Sequence, residues 1–176
     1  MERVFQASKA FFSLSQDAKM SVKADKNNGG YTPMHEQVLD PENQTKGDTK
    51  EGFYISRDIA ADSEDAAIPL CGLEQWPSEH LVPGVRACNT TALILRRWKA
   101  TMQDYHDRMH ALRIRLSGLL SAGLWLGPAF FEGCFSKHMS ALRLLRYYSE
   151  VSGPEKGVLG AGAHSDFGMI TMLGHG

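Results

Sequence analysis

Apolar residues recur at helical spacing in two stretches of the chain and at strand spacing in a third. Between Glu2 and Met20, the residues Val4, Phe5, Phe11, Phe12 and Leu14 fall on one side of a helix. The second stretch is stronger. Leu95, Trp98, Met102, Tyr105, Met109, Leu112, Leu116 and Leu119 follow one another at steps of three and four, which gathers them into one stripe. Asn89 or Thr90 stands where a side-chain oxygen can cap the start of that helix. Pro128-Ala-Phe-Phe-Glu predicts a short further helix, because proline is tolerated in a first turn. From His138 onward the period shortens. Ala141-Leu-Arg-Leu-Leu-Arg-Tyr-Tyr reads as a strand, and a Gly-rich bend over Gly153–Gly162 follows. A second strand then carries His164-Ser165-Asp166, and a third runs through Met169–Leu173. Between the two helical stretches, from Ser21 to Cys88, residues favouring turns predominate. Short bursts such as Gly52-Phe53-Tyr54-Ile55 mark brief strands within loops. Three regions result: helix, loops and short strands over 1–88, a helical region over 89–137, and a β-region over 138–176. The pattern is that of an α+β fold in which helices and loops precede the beginning of a sheet.

Composition narrows what such a fold could do. The 176 residues are 43% hydrophobic and 22% charged, in the range of a globular domain with a true core. Nineteen basic and 20 acidic residues leave a net charge of −1, so no overall field draws in nucleic acid or an anionic membrane. Arg96, Arg97, Lys99, Arg108, Arg113 and Arg115 are spread around the long helix among Asp104 and Asp107, the pattern of a solvated face. Cys71, Cys88 and Cys134 are scattered and odd in number, which points to a reducing, cytoplasmic setting rather than a disulfide framework. The longest uncharged stretch, Leu116–Phe131, is interrupted by Gly118, Gly123, Gly127 and Pro128, and reads as core and turn instead of a membrane span. The first residues lack the uninterrupted apolar run of a signal peptide.

Two patterns carry candidate chemistry. In a strand, His164 and Asp166 would point to the same face, so an imidazole nitrogen and a carboxylate oxygen could converge on one ion. With a further histidine this makes the two-His, one-carboxylate triad that holds Fe(II) and leaves positions open for a co-substrate and O₂. The tripeptide is short, and by itself it also fits a hydrogen-bonded polar pair at a strand end. The rival is His106-Asp107-Arg108-Met109-His110, two histidines one helical turn apart as in zinc hydrolases. Its Asp is shorter than the usual Glu base, and the neighbouring apolar stripe makes a solvated position the simpler reading.

Longer blocks favour the first pattern. Leu142-Arg-Leu-Leu-Arg-Tyr-Tyr-Ser-Glu-Val-Ser-Gly-Pro-Glu-Lys-Gly and Gly160-Ala-Gly-Ala-His-Ser-Asp-Phe-Gly-Met-Ile-Thr-Met-Leu resemble the iron-binding core of 2-oxoglutarate/Fe(II)-dependent dioxygenases, in the isopenicillin-N-synthase-like branch. Phe11-Phe-Ser-Leu-Ser-Gln-Asp-Ala-Lys-Met, Gly30-Tyr-Thr-Pro, Leu39-Asp-Pro-Glu-Asn and Gly47-Asp-Thr-Lys-Glu-Gly-Phe-Tyr resemble the family's earlier elements, in order. The resemblance implies an incomplete double-stranded β-helix, a jelly roll, packed on N-terminal helices. It implies Fe(II) held by His164 and Asp166, 2-oxoglutarate as co-substrate with Tyr147 or Tyr148 bonding its carboxylate, and O₂ and a small organic metabolite as reactants. In the family a second histidine and an Arg-x-Ser anchor follow downstream. After Asp166 the only histidine is His175, on the opposite strand parity. The expectation is therefore of a chain cut at both ends. The alternative to an active oxidoreductase is a non-catalytic fragment that holds iron weakly.

Overall fold

The computed structural model describes residues 1–25, 29–56, 59, 62–67, 75–77, 94–135, 139–149, 153–166 and 168–176. Helix α1 (Glu2–Phe12) buries Val4, Ala7, Ala10, Phe11 and Phe12, while Gln6, Ser8 and Lys9 lie on its more open side. The first helical stretch does not run unbroken to Met20. It turns at Ser13–Ser15, and Ser15 caps helix α2 (Gln16–Met20) by accepting the backbone N–H of Ala18 at 3.3 Å. Serine competes for backbone hydrogen bonds, which favours a cap over a helix interior.

Three strands form one antiparallel sheet in the order β1 (Gly30–Thr32), β2 (Lys50–Ile55), β3 (Leu142–Tyr147). Tyr31 pairs with Phe53, and β2 pairs with β3 from Lys50↔Tyr147 to Ile55↔Leu142. Because side chains alternate across a strand, the register sorts the sheet into two faces. Glu51, Phe53 and Ile55 share one face with Arg146, Leu144 and Leu142. Lys50, Gly52 and Tyr54 share the other with Tyr147, Leu145 and Arg143. The first face packs on the helices.

Helix α3 (Trp98–Gly123) closes the core. The Trp98, Phe53 and Phe11 rings meet with centroids 4.8–5.4 Å apart, and Trp98 Nε1 donates to the Ala7 carbonyl at 3.0 Å, tying α1 to α3. Phe11, Phe53, Trp98 and Met102 are fully buried. The apolar stripe of α3 is buried only over its first turns. Leu112 and Leu120 are exposed and Leu119 is 68% exposed, whereas Ser117 and Ser121 are buried with their hydroxyls bonded back to the helix's own carbonyls. Asn89 and Thr90, the expected caps, lie outside the described residues; among those described, helical structure begins at Ile94. The helix expected from Pro128 is a set of turns followed by a 3₁₀ turn at Glu132–Phe135.

The β-region differs most from expectation. β3 forms where its alternation predicts, but His164–Asp166 and Met169–Leu173 are not strands. An extended segment becomes a strand only by pairing its backbone, and the ladder of this sheet is limited to β1, β2 and β3. The double-stranded β-helix of the sequence expectation is thus represented by three strands among the described residues.

Candidate functional site

The segment leading to His164 is held by the residues that precede β2. Thr45 N–H donates to Gly157 O at 3.1 Å, Thr49 N–H to Leu159 O at 2.9 Å, and the Thr45 hydroxyl to Lys156 O at 2.7 Å. Gly157 has φ +68°, and a Cβ there would come within 2.7 Å of Asn43 O, so its lack of a side chain serves both the turn and the close approach. The last tie is Gly162, whose N–H donates to Asp48 Oδ1 at 3.0 Å. All of this lies on the sheet face that bears Lys50 and Tyr147; the Tyr147 ring stands 3.6 Å from where a Cβ at Gly160 would be.

His164 follows directly. Its Nδ1 lies 2.8 Å from Gly162 O. A carbonyl oxygen only accepts, so Nδ1 carries the proton, and in the neutral ring Nε2 keeps a free lone pair. Nε2 lies 3.3 Å from Asp166 Oδ1, while the Thr171 hydroxyl donates to Asp166 Oδ2 at 2.9 Å. The two side chains thus converge on one point, where either a proton on Nε2 or a metal cation can be shared between nitrogen and carboxylate. The pair converges without a strand, through a bent loop. Both side chains are reachable from solvent.

This donor set fits Fe(II). A neutral imidazole and a carboxylate are the hard-to-borderline ligands that ion takes, and an imidazole with its other nitrogen on a carbonyl is the usual arrangement of a ligating histidine. No cluster of three His, Cys, Asp or Glu side chains suited to a metal occurs among the described residues, so His164 and Asp166 stand as two donors. His175 does not join them into such a cluster.

The two tyrosines separate by face. Tyr147 is 53% exposed on the side that carries the His164 segment, and its hydroxyl has no partner among the described residues. Tyr148 belongs to the opposite side, where its hydroxyl donates to Glu51 Oε1 at 2.8 Å.

Glu51 is the centre of a buried polar cluster that sequence reasoning missed. Its Oε2 accepts from Lys19 Nζ at 2.6 Å and from the Tyr31 hydroxyl at 2.6 Å, and Arg146 Nη1 stands 3.5 Å from Oε1. Burial pushes the Glu51 carboxyl up, but the bonds from Lys19, Tyr31 and Tyr148 outweigh it and hold the group below the usual glutamate value. Tyr31 moves far upward, from burial first and from the carboxylate it serves. A second pair, Asp48 with Lys50, is also buried. Burial raises Asp48, yet donors from Lys50, Gln44 and Gly162 bring it below its usual value; burial lowers Lys50, against the pull of Asp48. The only hint of either cluster in the sequence is the polar run Asp48-Thr49-Lys50-Glu51 leading into an apolar strand.

The zinc motif is divided between different neighbours. His106 Nε2 lies 3.3 Å from Ser140 O and Oγ, whereas His110 Nδ1 accepts from the Arg113 guanidinium at 2.9 Å. Burial and the charge of Arg113 push His110 downward, and a guanidinium at that distance opposes a second cation. A cavity of about 480 Å³ lies between Ile170 and the Leu116–Leu124 end of α3; Leu116, Leu119, Leu120, Gly123 and Leu124 line it with no titratable group.

Known proteins resemble this chain in sequence and fold. Residues 1–79 match the family described as non-haem dioxygenase in morphine synthesis N-terminal. The chain is 31% identical to a 2-oxoglutarate-Fe(II) type oxidoreductase, hxnY, of Emericella nidulans, over 97% of its own length and 46% of the relative's. It is 33% identical to the clavatol oxidase claD of Penicillium crustosum, over 97% of its own length and 51% of the relative's. The chain belongs to the 2-oxoglutarate/Fe(II)-dependent dioxygenase family. A full-length Neurospora crassa protein solved with alpha-KG and thymine superposes on this chain with a TM-score of 0.68 at 27% identity, over 95% of this chain and 48% of that one. The helices and small antiparallel sheet correspond to part of the jelly-roll fold of such oxygenases. The chain spans about half the length of the relatives it matches. Among its described residues no helix is long and apolar enough to cross a membrane.

Proposed function

We propose that this chain forms part of an Fe(II)- and 2-oxoglutarate-dependent oxidoreductase acting on a small organic metabolite, with His164 and Asp166 as two of the iron ligands. The observation that carries this reading is the His164–Asp166 pair itself: a ring nitrogen freed by the Nδ1 bond to Gly162 faces a carboxylate oxygen at 3.3 Å. Bound Fe(II) would supply the oxygen chemistry, in which 2-oxoglutarate, O₂ and a C–H substrate give succinate, CO₂ and the hydroxylated product. The chain's own part is to present the two donors, to keep the imidazole in its Nδ1–H form, and to orient the co-substrate. For that last role Tyr147 is favoured over Tyr148, because its hydroxyl is open on the face carrying His164 and Tyr148 serves Glu51. The free Cys134 accords with a reducing, cytoplasmic setting.

The test is anaerobic addition of Fe(II) and 2-oxoglutarate, watching for the visible charge-transfer band of their complex. A saturable band that vanishes in Asp166→Ala and in His164→Ala supports the assignment. A band that survives either change removes that residue from the ligand set. No band at any iron concentration favours the second reading, a non-catalytic piece of such an enzyme, for which the presence of two donors rather than three among the described residues speaks.

A further inference from the structure

The same loop holds a buried device that the two ligands do not account for. Asp48 is fully buried and Lys50 nearly so, although taking an ion pair out of water costs several kcal/mol per charge unless each is well bonded. Asp48 is saturated: Oδ2 meets the Lys50 ammonium, and Oδ1 accepts from Gln44 Nε2 at 2.7 Å and from Gly162 N–H at 3.0 Å. Gly162 has no slack. A Cβ there would stand 2.4 Å from Gln44 Oε1 and 2.8 Å from Asp40 N, so the backbone is pressed against the Asp40–Gln44 turn. From the same residue the carbonyl receives His164 Nδ1 at 2.8 Å.

We propose that the buried Asp48–Lys50 pair is a positioning unit for the metal ligand: by clamping Gly162 it fixes the orientation of His164 and which of its nitrogens carries the proton. The proposal rests on the reading of His164 as a ligand, and its geometry is a continuous chain of contacts. Lys50 holds Asp48, Asp48 holds the Gly162 N–H, and the Gly162 carbonyl holds His164 Nδ1. A charged acceptor makes a stronger, shorter hydrogen bond to a backbone N–H than a neutral one, which is a reason to keep a carboxylate there. Lys50 keeps that carboxylate ionised within the protein, and Gln44 sets its rotation. Neither touches His164 or Asp166, so their role is exerted through Gly162.

The experiment compares the wild-type chain with Asp48→Ala/Lys50→Met, which removes both charges together and so leaves no buried ion unpaired. Far-UV circular dichroism checks the fold. Imidazole ¹⁵N shifts at alkaline pH report the tautomer of His164 without any metal, and Co(II) absorption reports affinity for the metal alone. The wild-type ring is expected as the Nδ1–H tautomer; the double variant is expected to lose that bias and to bind Co(II) about ten-fold or more weakly. Asp48→Asn/Lys50→Met, which restores a neutral oxygen for the Gly162 N–H, is expected to recover only part of both signals, and full recovery overturns the role given to the charges. An unchanged tautomer with unchanged Co(II) affinity in the folded Ala/Met variant overturns the proposal. Should the Ala/Met variant not fold, Asp48→Asn/Lys50→Met decides by the same two readouts, both equal to wild type overturning the proposal. His164→Ala separates the two readings: Co(II) affinity unaffected by it refutes the ligand assignment, whereas the tautomer result stands or falls with the clamp alone.

Discussion

Lys19, Tyr31 and Tyr148 come from three separate elements to satisfy one carboxylate, Glu51, so losing any one leaves a different defect. Removing the cation is the most severe. Lys19→Met is expected to cost about 3 kcal/mol at neutral pH, because it removes the buried partner of the Glu51 carboxylate and leaves only the half-exposed Arg146 at 3.5 Å to balance it. Tyr31→Phe removes one donor and is expected to cost about 1–3 kcal/mol. The pH dependence has a definite sign. Glu51 is held below its ordinary 4.5, so near that pH the unfolded chain binds protons that the folded chain refuses. Stability from this group is present above about pH 4.5 and drains away as pH falls through the lowered value; Asp48 acts the same way from 3.8 downward. Urea unfolding at neutral and acid pH should therefore show the gap between wild type and Lys19→Met narrowing in acid, since a protonated Glu51 no longer requires the lysine.

Among the elements, α3 divides into two halves that its sequence does not distinguish. Met102 is fully buried against the sheet, and Met102→Ala is expected to cost about 2–5 kcal/mol in chemical denaturation. Leu119 belongs to the same apolar stripe but is exposed, and Leu119→Gln is expected to stay within about 0.5 kcal/mol of wild type. Periodicity reports which positions share a face, and only the tertiary neighbours decide whether that face is covered. The same limit explains the strands. β3 was legible from Leu142-Arg-Leu-Leu-Arg-Tyr because its partner β2 lies in the chain. The apolar run Met169-Ile-Thr-Met-Leu has a comparable pattern but no ladder among the described residues, and it forms no strand. For the site, His164 and Asp166 were legible as neighbours two residues apart, though they meet in a segment that forms no strand. That Tyr147 and Tyr148 lie on opposite sides of the sheet became visible only with the register. Lys50 and Glu51 were hinted at only by their polar run, because charged residues in a strand ordinarily signal a solvent face, and their partners at 19, 31, 48 and 148 are remote or untypical.

For the molecule as a whole, the sheet joins what the sequence keeps apart. β1 and β2 are close in the chain, but β3 must return from beyond α3, and the contact of Tyr148 with Glu51 spans 97 residues. The tie of Gly162 to Asp48 spans 114. Contacts of such separation form late, since the loop must be closed before they contribute anything. The His164 loop lies after β3 in sequence and hangs from residues just before β2, so it is among the last parts to be assembled. On the proposed assignment, a cation held by both His164 and Asp166 would meet a protein that is already folded, and would latch the structure rather than nucleate it. Stopped-flow measurements with Co(II) should show slower unfolding and an unchanged refolding rate, and a metal-dependent refolding rate would mean that the loop forms early. In the order of assembly, the chemistry is installed last.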